Sequence, residues 1–300
     1  MRVDPHYVSG LVASLNSSTL SEQQLTAELS SGLRVSSLSA DPVAAGQASL
    51  LSSAISQDDS FVQTASSTQS LMQVADSALG SVVTQLTSAL SLAVGGNSGT
   101  ASASDLTSLS QQLSSVRDQV VSLANTSYQG TYIFAGSQGN VPPFTVDAST
   151  SPATTTYNGD SQAGSVTTAN GQQIQTGLAG SAVFVAPGAD VMAALNNLIA
   201  DFASGTVSAT ASTDVGILSA ALGNVSQQRS VLDSSLSRLE SASTYAQTDA
   251  TNRTAAVSTL VAADPATVAT QLSSAETQKQ ALMSVISTVE KQSLFDHLPG

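Results

Sequence analysis

Two narrow apolar stripes, one near each end of the chain, constrain the fold more than any other feature. Near the N-terminus, Val8, Leu11, Leu15, Ser18, Glu22, Leu25 and Leu29 recur at spacings of three and four. Near the C-terminus, Val268, Leu272, Ala275, Lys279, Leu282, Ile286 and Val289 do the same. That rhythm gathers each set along one side of a helix, as in the seam of a coiled coil. Each stripe is interrupted by polar residues: Ser18 and Glu22 in the first, Lys279 in the second. A helix with one narrow apolar stripe needs another helix to cover it. The residues Leu11, Leu15, Leu25, Leu29, Leu272, Leu282 and Ile286 therefore read as an assembly seam rather than part of a self-contained enzyme.

Both terminal segments meet the rest of the chain at an Asp-Pro pair, Asp41-Pro42 and Asp264-Pro265. An Asp carboxylate accepts the orphan N–H groups of a helix's first turn, and Pro suits the next position because its φ is preset. The two pairs lie at similar distances from the two chain ends, as expected of arms that pair and break together.

Between the arms the three–four rhythm continues. Ala48, Leu51, Ile55, Asp58, Val62, Ala65, Gln69, Met72, Asp76, Leu79, Val83, Leu86 and Leu90 predict a long helix that stops near Gly95-Gly96-Asn97. Asp105 is the expected cap of a further helix, striped by Leu106, Leu109, Leu113, Val116, Val120 and Leu123. From Tyr128 the pattern changes to aromatic and β-branched residues between glycines. Residues 141–186 read as a small β-rich insert with Asn-Gly turns at Asn158-Gly159 and Asn170-Gly171, the alternative being a disordered Ser/Thr-rich linker. Asp190 opens a short helix. The longest stripe then runs from Val215 to Leu260 and includes Arg229 and Arg253. The expected fold is mainly α: a long coiled-coil-like helical rod built from both flanks, with a small β-rich insert in the middle. Its parts are terminal helices at 1–42 and 265–300, a helical rod at 43–140 and 187–264, and the insert at 141–186.

Composition narrows the function. Aromatics make up 4% of the chain and Trp is absent, which suits thin bundles packed by Leu, Val and Ala. A net charge of −13, with eight scattered basic residues, disfavours nucleic acid and anionic membranes as partners. No Cys is present, so disulfides and thiolate chemistry are excluded. No transmembrane span and no cleaved signal peptide are expected. His6 and His297 have no metal-ligand spacing, Asp58-Asp59 reads as a solvated face, and the glycine-rich turn at 95–99 lacks the Lys-Ser/Thr of a phosphate loop. No catalytic, cofactor or metal site is expected.

Five segments, taken in order, resemble the flagellin superfamily: LSSGLRVSSLSADPVAAGQASLL at 29–51, VADSALGSV at 74–82, SLANTSYQGTYIFAGS at 122–137, DVMAALNNLIADF at 190–202 and the run from Leu260 to Leu298. Within it, Asp41-Pro42 and the ending QSLFDHL resemble the hook–filament junction family of the FlgL type more than filament flagellin. The chain departs from the family at Ser37–Ala40, which lacks the usual Asp-Asp pair before Pro. The resemblance implies a structural axial protein of the bacterial flagellum, extracellular and exported unfolded through the type III apparatus. It implies a homo-oligomeric ring with hook-associated protein one (FlgK) on one side and flagellin on the other, and an export chaperone on the C-terminal helix before export. The other readings are a filament flagellin, or a secreted adhesin or enzyme with a site on the β insert.

Overall fold

The computed structural model describes residues 5–37, 39–150 and 152–295. Their order is α1 (Pro5–Ser31), α2 (Pro42–Gly96), α3 (Ala103–Ala124), four short β-hairpins with a brief helix before the last, α5 (Val191–Ala203), α6 (Ala211–Val261) and α7 (Pro265–Phe295). The fold is mainly α with a small strand-containing insert. Its contacts divide it into two compact units. One joins the two ends, residues 1–56 and 249–300, and the other spans 57–248.

The 57–248 unit has a finished core. On α2, Met72, Leu79, Val82, Leu86, Ala89 and Ala93 are fully buried, and Leu113 and Val120 of α3 join them. Leu195, Leu198 and Phe202 of α5 and Leu218, Val225 and Leu239 of α6 complete the same cluster. The buried face of α2 is wider than its large-residue stripe, because alanines let neighbouring helices approach closely. By composition α2 contains a segment apolar enough to cross a membrane, against expectation. The residues between its buried positions are largely Ser, Thr and Gln, the division of a helix with one face in a protein core. Asp58, expected on a solvated face, is buried because it falls within the stripe between Ile55 and Val62, whereas Asp59 is exposed.

Two interruptions of the stripes find each other inside this unit. Arg229 of α6 donates through Nε and Nη2 to Asp76 of α2, at 2.6 and 3.1 Å. Hydrogen bonding to that carboxylate raises the guanidinium pKa further. Gly96 has a second role besides ending α2. A Cβ there would lie 2.5 Å from the buried ring of Phe202, so the close approach of α5 requires glycine.

The insert is made of hairpins: β1 (Ser127–Tyr128) with β2 (Thr131–Tyr132), β3 (Phe144–Asp147) with β4 (Thr154–Tyr157), β5 (Ser165–Thr167) with β6 (Gln173–Gln175), and β7 (Val185–Ala186) with β8 (Ala189–Asp190). All four pairs are antiparallel. The run Ala182–Val185, whose valines suit a strand and which lies within the segment expected to be β-rich, is largely helical, within α4 (Gly180–Phe184). Gly180 makes this possible. Its N–H donates to the Phe134 carbonyl at 2.9 Å, and a Cβ would strike that carbonyl at 2.7 Å. Phe184 then packs edge-on to Phe134 and Phe144, with ring centroids 5.4 Å away in each case. Asn125, the residue ending α3, anchors β3 by exchanging hydrogen bonds with the Phe144 backbone. Arg117, buried on α3, donates to the Ala153 carbonyl and to Asn196 Oδ1, tying α3 to the insert and to α5.

Asp201, near the end of α5, has one carboxylate oxygen buried without a hydrogen-bond partner. Burial, aided by the nearby charge of Asp214, raises its pKa above the ordinary carboxylate range. A raised pKa in the folded state favours folding below the unfolded value of about 4, and that advantage is lost as pH rises through the folded value. Asp201→Asn removes the buried charge. Thermal melts should therefore show the variant more stable than the parent at pH 7, with the difference shrinking toward pH 3.

Candidate assembly interface

The two breaks in the helical arms are joined to each other. Gly32 ends α1 in the left-handed conformation, with φ +69°, and its N–H closes the last turn onto the Glu28 carbonyl at 2.8 Å. Its own carbonyl accepts from Ala263 N at 2.9 Å, and Arg34 N donates to Val261 O at 2.8 Å. Leu33 and Ala262 thereby form an antiparallel bridge. The Arg34 guanidinium reaches the Leu260 carbonyl at 2.9 Å and Asp41 Oδ2 at 3.3 Å.

Both Asp-Pro pairs sit at helix starts. Asp41 Oδ1 accepts from Ala44 N at 3.0 Å, and Pro42 is the first residue of α2. That N–H, with help from Arg34, holds the Asp41 carboxyl below the usual carboxylate range. Asp264 accepts from the Thr267 hydroxyl at 2.7 Å and from Ala266 N at 3.0 Å, and Pro265 opens α7. The Thr267 bond is the larger cause of its lowered pKa, the Ala266 N–H the next. The start of α3 differs from expectation. Ser102 is its cap and Asp105 the third helical residue, each bonding the other's backbone N–H. Asp105 marked the right turn of the chain because a capping box needs an acidic or amide partner there.

Since the end of α1 and the start of α7 are bridged, the two helices run antiparallel along each other. Their packing is the most extensive between any two helices of the end unit. Leu11, Leu15 and Leu25 of α1 and Leu272, Leu282 and Ile286 of α7 are all half-buried, while most of the positions between them are exposed. Leu29 is 42% exposed and remains largely uncovered. The polar interruptions meet. Lys279 Nζ lies 2.5 Å from Glu22 Oε2, and the Ser18 hydroxyl donates to the Ala275 carbonyl at 3.5 Å. On one helix alone Ser18, Glu22 and Lys279 read as interruptions of the stripes. Once the helices are set antiparallel, Glu22 and Lys279 fall in neighbouring layers of the seam, close enough for their long side chains to meet. Beyond the seam, Val12, Leu20, Met283 and Val285 point away from the pair and are exposed. The His6 side chain and His297 fall outside the described residues. Among the described residues no three His, Asp or Glu side chains converge as a metal site would require.

Comparison with known proteins defines the class. Residues 9–139 match the family model described as the bacterial flagellin N-terminal helical region, and residues 215–298 match the bacterial flagellin C-terminal helical region. These are the segments that form α1 to α3 and α6 to α7, so the chain is a flagellin-like structural protein of the bacterial flagellum. It is 30% identical over 288 residues to flagellar hook-associated protein 3 of Escherichia coli K12, covering 89% of this chain and 90% of that one. Hook-associated protein 3 of Salmonella typhimurium is 36% identical over 122 residues, 40% of this chain and 38% of its own. The fold resembles that of hook-associated protein 3 from Legionella pneumophila, with a TM-score of 0.64 at 13% identity over 71% of this chain and 98% of the other. The Legionella pneumophila flagellar junction protein FlgL gives 0.59 at 14% identity, over 72% and 100%. The chain belongs to the hook-associated protein 3 (FlgL) family, the flagellar junction proteins.

Two glycines test the geometry of α1. A Cβ at Gly10 or at Gly32 would meet nothing within 4 Å, but Gly10 is helical and Gly32 has positive φ. Gly10→Ala should therefore stabilise the end unit by up to about 1 kcal/mol. Gly32→Ala should destabilise it by about 1–2 kcal/mol through backbone strain. Helicity and thermal melts by circular dichroism distinguish the two signs.

Proposed function

We propose that α1 and α7, with the seam Leu11, Leu15, Leu25, Leu29, Leu272, Leu282 and Ile286, form the inner layer of a homo-oligomeric ring that joins hook-side protein to filament. Residues 1–42 and 265–300 constitute that layer, 43–140 and 187–264 a helical rod, and 141–186 a small domain facing outward. One surface of the ring fits hook-associated protein one (FlgK) and the other offers flagellin a template. The role is mechanical and not enzymatic. The protein works outside the cell, reaching the flagellum by type III export, with a chaperone on the C-terminal helix beforehand.

The observation that carries this reading is the half-burial of the seam in a single chain, together with the apolar side chains left exposed around it. Full burial of a Leu or Ile side chain contributes roughly 1.5–3 kcal/mol, and fixing each residue's backbone costs roughly 1–2 kcal/mol. A pair of helices that buries its leucines halfway is loose alone and firm when neighbours complete it.

Leu282→Asp should block incorporation into the junction while the 43–264 segment stays folded, as judged by circular dichroism and by flagella lacking filaments. Normal filament growth by this variant would refute the proposal. Limited proteolysis of the parent chain with mass mapping should remove both ends before the segment from about 43 to 264 is cut. Ends as resistant as that segment would show that the arms form a finished domain, overturning coupled folding and assembly.

A further inference from the structure

We infer that Glu22 and Lys279 determine which helices the seam accepts, admitting α1 against α7 and rejecting α1 against α1 or α7 against α7. The inference rests on the reading of α1 and α7 as the assembly seam and adds the residues that select the pairing.

The apolar positions alone cannot make that selection. With α1 and α7 antiparallel and the Ser18–Ala275 and Glu22–Lys279 contacts in place, the helical rise sets Leu15 level with Leu282 and Leu25 level with Leu272. An antiparallel pair of two α1 helices from different chains matches equally well, with Leu15 level with Leu25. So does a pair of two α7 helices, with Leu272 level with Leu282. Both stripes have the same spacing, so all three pairings bury similar leucines.

The charges break the tie. In the α1–α7 pair the Glu22 carboxylate meets the Lys279 ammonium at 2.5 Å, with both side chains two-thirds or more covered. In an α1–α1 pair each Glu22 faces the other chain's Ser18, placing two carboxylates a layer apart with no cation. In an α7–α7 pair each Lys279 faces an Ala275, and two ammonium groups share the same stretch of seam. A slip of seven residues within the α1–α7 pair is also rejected. It sets Glu22 against Leu282 and Lys279 against Leu25 in one direction, or Glu22 against Val268 and Lys279 against Leu11 in the other. Polar or charged residues in an apolar seam choose partner and register in this way, at some cost in stability.

Among the described side chains of the two helices, the other charged groups do not duplicate the device. Glu28 accepts from Gln24 on its own helix, and Glu276 is exposed. Unpartnered ionic groups in the seam are therefore avoided in one arrangement.

The absence of native cysteine gives a clean test in the full-length chain. Ser18→Cys with Ala275→Cys places two thiols where the structure has a hydrogen bond across the seam, and mild oxidation followed by non-reducing electrophoresis separates intrachain from interchain disulfides. The intrachain product should predominate in this parent. Adding Glu22→Lys should lower the intrachain-to-interchain ratio by about fivefold at low salt, the equivalent of roughly 1 kcal/mol. Adding Lys279→Glu as well should restore it, and high salt should narrow the gap between the variants. Equal ratios in all variants, or failure of the double reversal to recover, would overturn the inference while leaving the seam intact. Failure of the parent to form the intrachain product would instead overturn the α1–α7 seam itself.

Discussion

Charged side chains placed inside apolar stripes must find each other, and the helical part of this protein is organised around that requirement. Glu22 of α1 meets Lys279 of α7, and Asp76 of α2 meets Arg229 of α6. Each of the four occupies a position where the three–four rhythm calls for an apolar residue. Read on one helix alone, each is a defect; read across a pair, each is the complement of another. Partly exposed pairs of this kind contribute about 0–1 kcal/mol to stability. Their larger effect is on alternatives, since any arrangement that separates them leaves a charge against leucine or alanine. The apolar residues hold the helices together, and the ion pairs say which helices and at what height.

The same economy of side chains appears in the core. Alanines on α2, such as Ala75, Ala78, Ala89 and Ala93, are buried almost completely, so neighbouring helices approach closely and large aromatics are not needed. The few aromatics are concentrated where helix packing cannot reach. Phe134, Phe144, Tyr157 and Phe184 fill the base of the insert, where four two-stranded hairpins have no shared sheet to stabilise them. A lone two-stranded hairpin is marginal in water. Here the aromatic cluster, the Asn125 anchor and the bonds from Arg117 supply what a larger sheet would otherwise provide.

Much of this was legible in the sequence. The stripes, the Gly95-Gly96 stop, the Asp-Pro starts and the strand signal after Tyr128 all follow from local chemistry and periodicity. Long-range complements were not legible. Nothing near Gly96 says that Phe202 will press on it, and nothing near Arg117 says that Ala153 and Asn196 will surround it. The helix at Gly180–Phe184 was missed because β-branched residues favour strands locally, while the Phe134 carbonyl that holds Gly180 lies far upstream. Ser102 was passed over as a cap because Asp105 carries the stronger local signal, although the two act together. In the seam, burial could be anticipated residue by residue, but the meeting of Glu22 with Lys279 needed the antiparallel bridge between Leu33 and Ala262 to bring the two ends into register.

The two units differ in how far their packing is complete, and that difference has a physical consequence. In the 57–248 unit, leucines and phenylalanines from several helices are fully buried. In the unit made by the ends, the buried side chains among the described residues are small: Ser18, Val35, Ala44, Ala250, Val268 and Ala275. Its leucines stop halfway, and Leu20 remains 66% exposed. Apolar area left in water retains its free energy for a later step, at about 25 cal/mol per Å² once it is covered. A chain that finishes one core and leaves the other open holds its middle firmly and its ends more loosely. The charge pair matters most when a second copy of the chain comes near, because that copy presents the same stripes. Without a rule of pairing, an open apolar seam would accept the first copy it met in any register; Glu22 and Lys279 supply the rule.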